Sequence, residues 1–247
     1  MSFRKTALFI IAVAVLLLFI PRMLPAQFAH IPIESAEQDR AFSEFNHHIA
    51  GAFLLIIGAL ATISRASAGL SFLRKVWPFF FIIPGLYLAF MSDPDVWPMG
   101  AQSWAEAFRS NPEARQHKIY AFLLTALGIT EFLRAEGKLG RFLSVWSFPA
   151  LAVFGAILLF FHKHGGEASS MQGMSRMMPG GMERGGHTMS ALMLKIKREH
   201  LWFSIVGFGV AFAKFLDDGN FWKKPFVPFL WPALISVLGV LLILYTE

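Results

Sequence analysis

The chain has 247 residues, of which 55% are hydrophobic and 15% are charged, whereas about 25% of the residues of a typical soluble domain are charged. This composition argues against a soluble monomer. Cysteine is absent, which excludes disulfides, thiolate zinc sites and iron–sulfur clusters. The net charge is +6, but the basic residues form no continuous block and no nucleic-acid-binding motif accompanies them, so we expect no nucleic-acid partner.

Seven stretches approach the length of about 20 mostly apolar residues that a membrane-spanning helix needs. The first, residues 7–20, follows a basic start and precedes Leu24-Pro25-Ala26, so residues 1–26 are predicted to be a signal peptide or an N-terminal membrane anchor. The other six are predicted at residues 48–64, 76–91, 118–133, 143–161, 201–215 and 226–245. The predicted fold class is therefore all-α: a polytopic membrane protein in which residues 27–247 form a domain of six transmembrane helices.

The distribution of basic residues predicts the orientation of these spans. If the amino terminus is cytoplasmic, 11 of the 22 Lys and Arg residues lie in the short inner connections, as the positive-inside rule favours. The longer segments, residues 25–46, 92–116 and 163–199, then face outwards. We therefore expect a multi-pass protein of the bacterial inner membrane whose functional loops are periplasmic.

Capping patterns predict where two of the helices begin. Ser35-Ala36-Glu37-Gln38 can form a capping box, which predicts that the second helix begins near residue 36. Ser110-Asn111-Pro112-Glu113 gives the same signal for the fourth helix, with Pro112 suited to the first turn.

All eight histidines fall on the predicted outer side or at the outer membrane boundary. Three helices that start there carry an acid close to a histidine, and several imidazoles at one level of a bundle can ligate copper, zinc or iron. The acids Glu44, Glu113 and Glu199 are predicted to orient the imidazoles as hydrogen-bond partners. Interfacial anchoring is the alternative reading of these histidines. The candidate ligands are His47, His48, His117, His162, His164, His187 and His200; the eighth histidine is His30.

Seven of the eleven methionines lie between positions 171 and 193, in an outer segment rich in Gly and Ser. Thioether sulfur is a soft ligand that suits Cu(I), and methionine on a polar loop is not explained by core packing. A low-complexity loop or an adaptable contact surface remains the alternative. We predict an outer loop at 163–199, flexible without a ligand over residues 165–186, that binds Cu(I) through Met171, Met174, Met177, Met178, Met182, Met189 and Met193.

No histidine, acid or base lies near the middle of any predicted span, and Glu131 and Lys214 belong to the inner ends. Polar residues within the membrane usually mark ion pathways, so their absence favours capture and delivery of an ion over pumping. In the outer Asp93-Pro94-Asp95 segment, loop capping by the acids is favoured over metal binding.

The multi-span pattern, the histidines at outer helix ends and the Met/His-rich outer loop resemble the bacterial copper resistance protein D family, over residues 43–247. The resemblance implies an inner-membrane protein of copper uptake or tolerance that works beside a small periplasmic copper carrier. It also implies that His47, His48, His117 and His200 are metal ligands. This chain has fewer spans than many members of that family.

The leading hypothesis is a copper-homeostasis protein without catalytic residues, whose methionine loop collects Cu(I) and passes it to the outer histidines. The first alternative is an electron-transfer subunit in which two of His48, His117, His162 and His200 ligate one outer haem b. The second is an accessory subunit without a cofactor that stabilises a larger membrane complex. Beyond membrane lipid and the copper carrier, the sequence does not identify partners or the oligomeric state.

Overall fold

Helices provide all the regular secondary structure in the computed structural model, which describes residues 36–161 and 183–246. No strand occurs within these two ranges, so the all-α prediction is confirmed. The predicted signal or anchor at residues 7–20 lies outside them. In chain order the helices are α1 (Ala36–Ala66), a 3₁₀ helix (Ala68–Lys75), α2 (Phe79–Phe90), α3 (Trp104–Ser110), α4 (Pro112–Ala135), α5 (Arg141–Phe160), α6 (Glu183–Gly219) and α7 (Val227–Ile243).

Four described helical segments are long and apolar enough to cross a membrane: Arg40–Ala66, Ala68–Phe90, Arg141–Phe160 and Leu194–Gly219. They support a membrane protein. The remaining two predicted spans correspond to α4, which has buried charged residues, and to α7, which is apolar but has only 17 residues. The sequence predicts six spans, and four of the described helical segments meet the length and hydropathy expected of a span.

Large apolar side chains project from the outer surface of the bundle. The exposed fractions of Phe122, Phe142 and Phe212 are 71%, 72% and 64%. A soluble monomer seldom exposes so many large apolar groups, whereas a lipid-facing helix surface is expected to do so.

The described residues from Glu44 onwards form one compact unit, and residues 36–43 of α1 belong to the preceding unit. Within the compact unit, small residues bring pairs of helices close together. A Cβ atom on Gly51 of α1 would lie 2.6 Å from the carbonyl oxygen of Gly239 in α7, and one on Gly128 of α4 would lie 2.6 Å from the carbonyl oxygen of Pro78. Close backbone approach at glycine is a common way to pack helices in membranes, where van der Waals contact replaces the hydrophobic driving force.

The ends of the long helices meet at two levels of this unit. The first, here called the histidine end, is marked by contacts from His48 to the Tyr245 carbonyl oxygen at 3.0 Å and from Lys118 to the Leu88 carbonyl oxygen at 3.3 Å. These contacts bring the middle of α1 beside the end of α7, and the start of α4 beside the end of α2. The second, the ion-pair end, is marked by the Arg65–Asp217 contact at 2.8 Å between the ends of α1 and α6.

Two helix starts and one short helix refine the sequence expectations. The first described residue, Ala36, already belongs to α1, and Ser35 of the predicted capping box lies outside the described residues. For α4 the capping residue is Asn111, whose side chain accepts a hydrogen bond from the Ala114 N–H at 3.0 Å, with Pro112 in the first turn as predicted. Helix α3 was not expected, although Ser103 and Glu106 form a capping box at its start.

The prediction of an outer loop at 163–199 is wrong for residues 183–199, which belong to α6; residues 163–182 lie outside the described residues. No proline interrupts residues 183–219, so the helix continues upstream of its apolar span despite the helix-disfavouring Gly185 and Gly186.

Candidate functional site

Histidines from three helices line one cavity of about 220 Å³ inside the bundle. They are His47 of α1, His117 of α4 and His200 of α6, three of the residues predicted as metal ligands. The other polar residues of the lining are Asn46 and Tyr120, and every remaining lining residue is apolar or glycine. The cavity therefore has imidazoles at the histidine end and an apolar body below them.

His47, His200 and Tyr245 form a compact aromatic group at the top of this cavity. His47 stacks on Tyr245 with ring centroids 4.1 Å apart, and its ring centroid lies 5.9 Å from that of His200. His200 and Tyr245 are 4% and 1% exposed. The structure thus brings together two predicted ligands that are far apart in the sequence.

The ring orientation of His200 is fixed by its own helix. Its Nδ1 lies 2.9 Å from the Ile196 carbonyl oxygen, one turn earlier in α6. A carbonyl oxygen only accepts hydrogen bonds, so Nδ1 carries the proton and the lone pair of the neutral ring is on Nε2. Histidines that bind metals commonly hold the other ring nitrogen in this way.

His48 has a different role from its neighbour. Its Nε2 donates to the backbone carbonyl oxygen of Tyr245 at 3.0 Å, a contact that joins the middle of α1 to the segment after α7. His48 does not belong to the cavity lining. Of the two adjacent candidates, the geometry therefore favours His47 as the residue that faces a bound group.

Asp93 holds the ring of the third cavity histidine. Its Oδ1 lies 2.7 Å from His117 Nδ1, while Oδ2 accepts hydrogen bonds from Lys118 Nζ and Ser92 Oγ at 2.7 Å each. The sequence favoured a loop-capping role for Asp93 and assigned Glu113 to His117. The described contact places the Asp93 carboxylate on the imidazole; the charge of Glu113 also raises the pKa of His117, and its predicted role as a hydrogen-bond partner stays a prediction.

These contacts change the acidity of both partners. Burial alone would raise the pKa of Asp93, but the hydrogen bonds and positive charges of His117 and Lys118 outweigh it and hold the pKa well below its usual range. Burial alone would lower the pKa of His117, but the hydrogen bond and charge of Asp93 raise it above its usual value. The pair is therefore stabilised in its charged form.

Other predicted ligands fall outside the described residues: His162, His164, Met171, Met174, Met177, Met178 and Met182. The side chains of His187, Met189 and Met193 are likewise outside them, although their backbone belongs to α6. Within the described ranges, no group of three or more His, Asp or Glu side chains is arranged to hold a metal ion. The roles of Glu44 and Glu199 beside the imidazoles remain predictions.

A network of ion pairs lies at the opposite end of the bundle. Glu131 accepts from Arg134 at 2.7 Å and lies 3.3 Å from Lys214, which also pairs with Asp218. Lys214 and Glu131 are 0% and 1% exposed. The sequence placed Glu131 and Lys214 at the same ends of their helices, and the structure adds that they are neighbours. These groups join α4 to α6.

No family model, curated protein or solved structure matches this chain. Its function is therefore argued from the chemistry of the histidine end, since an arrangement of helices by itself does not specify an activity.

Proposed function

We propose that the chain is a membrane protein of copper homeostasis that collects Cu(I) on its methionine-rich segment and transfers it to the imidazoles of His47 and His200. The main support is the contact between these two rings at the end of the bundle, with the His200 ring fixed through Nδ1. Copper is the cargo in this proposal, and the role is uptake, tolerance or delivery.

The separation of the two rings suits a shared ion. An imidazole bound through nitrogen at about 2.0 Å has its ring centroid about 3 Å from the metal, so two imidazoles on one ion are at most about 6 Å apart. The His47 and His200 centroids are 5.9 Å apart. Because soft Cu(I) accepts both imidazole and thioether ligands, a methionine sulfur can complete the set without a third histidine.

The register of α6 supplies a route from the methionines to this pair. Positions 193 and 200 are seven residues apart in one continuous helix, and position 189 is four residues before 193. At 3.6 residues per turn, positions 189, 193 and 200 share one face, and the last two are about 10 Å apart along the axis. His200 faces the cavity, so this face leads from the methionine-rich segment to the histidine end.

The proposal includes the finer membrane arrangement: six spans with an N-terminal signal or anchor, in the bacterial inner membrane, with the histidine end facing the periplasm. It rests on the distribution of basic residues and on the resemblance to the copper resistance protein D family. A small periplasmic copper carrier is the proposed donor or acceptor. Reporter fusions at Gly185 and Arg65 are expected to report opposite compartments, and a shared compartment would refute this orientation.

The binding test is an anaerobic competition titration of the purified full-length protein, with Cu(I) partitioned between the protein and bicinchoninate. His47→Phe and His200→Phe keep an aromatic ring at each position but remove the nitrogens, so each is expected to lower Cu(I) affinity at least tenfold. His48→Gln retains a hydrogen-bond donor outside the cavity and serves as the matched control. Wild-type affinity in the His47→Phe/His200→Phe double variant would refute the proposal.

One observation favours haem b as a second candidate. His117 and His200 line the same cavity, and the Nδ1 of each contacts an oxygen atom, as in many metal-ligating histidines. The size of the cavity is less favourable, because about 220 Å³ is below the roughly 300–1,000 Å³ of typical pockets for drug-sized ligands. A Soret band in protein from haem-replete cells would establish haem binding. A colourless, metal-free protein that is stable only together with partner subunits would instead favour the alternative of an accessory subunit without a cofactor.

A further inference from the structure

We propose that the apolar body of the cavity binds the ring of a membrane quinone, with the ring oxygens at the histidine end and the isoprenoid tail leaving through the side of the bundle at Gly155. The copper ligands His47 and His200 also line this cavity, at its histidine end, but the proposal does not depend on copper binding.

The size and lining of the cavity match a single substituted ring. An apolar cavity of roughly 150 Å³ is sufficient to bind benzene, and this one has about 220 Å³. Its body is formed by side chains such as Phe81, Leu127, Phe148 and Val210. A ligand for it must therefore be mostly apolar, flat and soluble in the membrane.

The upper part of the cavity contains polar groups with fixed orientations. A lipid acyl chain has no atoms that could hydrogen-bond to them, so they favour a ligand that carries oxygen atoms. The Asn46 side-chain oxygen accepts a hydrogen bond from the Tyr87 hydroxyl at 2.7 Å, which assigns the amide NH₂ to the other side of that side chain. Asp93 contacts Nδ1 of His117, so Nε2 is on the side of the ring away from this carboxylate. Asn46 and His117 both line the cavity, and N–H donors of this kind suit the carbonyl oxygens of a quinone.

The proposed exit for the tail is at Gly155, where α5 faces Tyr120 of α4. Gly155 lines the cavity and is also partly exposed, next to the exposed side chains of Val153 and Phe154. A Cβ atom at Gly155 would meet nothing closer than 3.9 Å, whereas one at Gly51 or Gly128 would lie 2.6 Å from a backbone oxygen of the neighbouring element. Tyr120 donates a hydrogen bond to the Gly155 carbonyl oxygen at 3.0 Å and so holds this side of the opening. The cavity can therefore be reached from the lipid-facing surface.

The test measures binding of a short-chain benzoquinone with one isoprenyl unit to the full-length protein in nanodiscs, by quenching of tryptophan fluorescence. Gly155→Leu places a side chain in the opening and is expected to weaken binding at least tenfold. Ala150→Leu, on the exposed face of the same helix and outside the lining, is the matched control and is expected to bind as the wild type does.

A second variant tests the hydrogen bonds. Asn46→Leu combined with Tyr87→Phe removes both partners, which limits the loss of stability because no buried hydroxyl is left without its acceptor. We expect about tenfold weaker quinone binding in this double variant. Butylbenzene, an apolar ring without oxygens, is expected to bind the wild type and the double variant equally.

Three results would overturn the proposal: no saturable binding of the quinone to the wild type, unchanged binding in Gly155→Leu, or equal quinone affinity in the wild type and the Asn46/Tyr87 double variant. The last result would indicate a cavity that accepts any apolar ring. The Cu(I) titration of Gly155→Leu is expected to match the wild type, which separates the failure of this proposal from the failure of the copper proposal.

Discussion

Replacing Lys214 by methionine removes one positive charge from the ion-pair end. Lys214 is fully buried and contacts both Glu131 and Asp218, and Arg134 is then the only base in the described contacts of those two acids. Breaking a buried ion pair by removing one partner typically costs about 3–5 kcal/mol, because a charge is left without compensation. We expect Lys214→Met to lower the free energy of unfolding by an amount in this range.

The compensating change is Glu131→Gln in the same chain. With Lys214 and Glu131 both replaced by neutral residues, two acids (Asp217 and Asp218) and two bases (Arg65 and Arg134) remain, so their charges balance. The double variant is therefore expected to recover at least half of the lost free energy of unfolding. Unfolding in detergent micelles, followed by tryptophan fluorescence, measures the effect. Lys224→Met, at an exposed position, is the control. A loss of less than about 1 kcal/mol in Lys214→Met, or a double variant less stable than the single one, would refute this reasoning.

Three further predictions concern packing, acidity and capping. Gly51→Ala is expected to cost about 1–3 kcal/mol, because its Cβ would meet a backbone oxygen of α7 at 2.6 Å, whereas Gly155→Ala is expected to leave the melting temperature nearly unchanged. Asp93→Asn is expected to lower the pKa of His117, measured by NMR titration of the ring; an unchanged pKa would contradict the described contact. The raised pKa of His117 stabilises the folded protein fully below the unfolded pKa of about 6.5, and this stabilisation is lost as pH rises through the folded pKa. The melting temperature of the wild type should therefore exceed that of Asp93→Asn by less above neutral pH than below it. Asn111→Ala is expected to cost about 1 kcal/mol by thermal melting, because it removes the side-chain acceptor at the start of α4.

The helical fold follows from features that are local in the sequence. Apolar stretches of nearly 20 residues predict helices in a membrane protein, and capping residues near positions 36 and 111 predict where two of them begin. The start of α6 was harder to predict, because the glycines and methionines before the span favour a loop by composition. Continuation of the helix to Glu183 is a property of the backbone, which composition alone does not determine.

The candidate site was predictable in its residue types and in part of its location. Placing the histidines at one set of helix ends identified His47, His117 and His200, which line one cavity. The 5.9 Å approach of His47 to His200 depends on the packing order of the helices, which no local pattern encodes. The same reason explains why Asp93 was not identified as the partner of His117. The two residues belong to different elements and meet only in the folded bundle.

The ion-pair end gives the same lesson for charged residues. The sequence located Glu131 and Lys214 at the inner ends of two predicted spans. It did not predict that they would be almost fully buried and paired, since partners more than 80 positions apart are brought together by tertiary packing.

X-ray absorption of the Cu(I)-loaded wild-type protein tests the central claim most directly, because it identifies the atoms bound to the metal. The proposal predicts imidazole nitrogen and thioether sulfur on the same ion, with the nitrogen contribution lost in the His47→Phe/His200→Phe variant. A shell of sulfur alone, a shell unchanged by that double substitution, or a protein that retains no copper would contradict it.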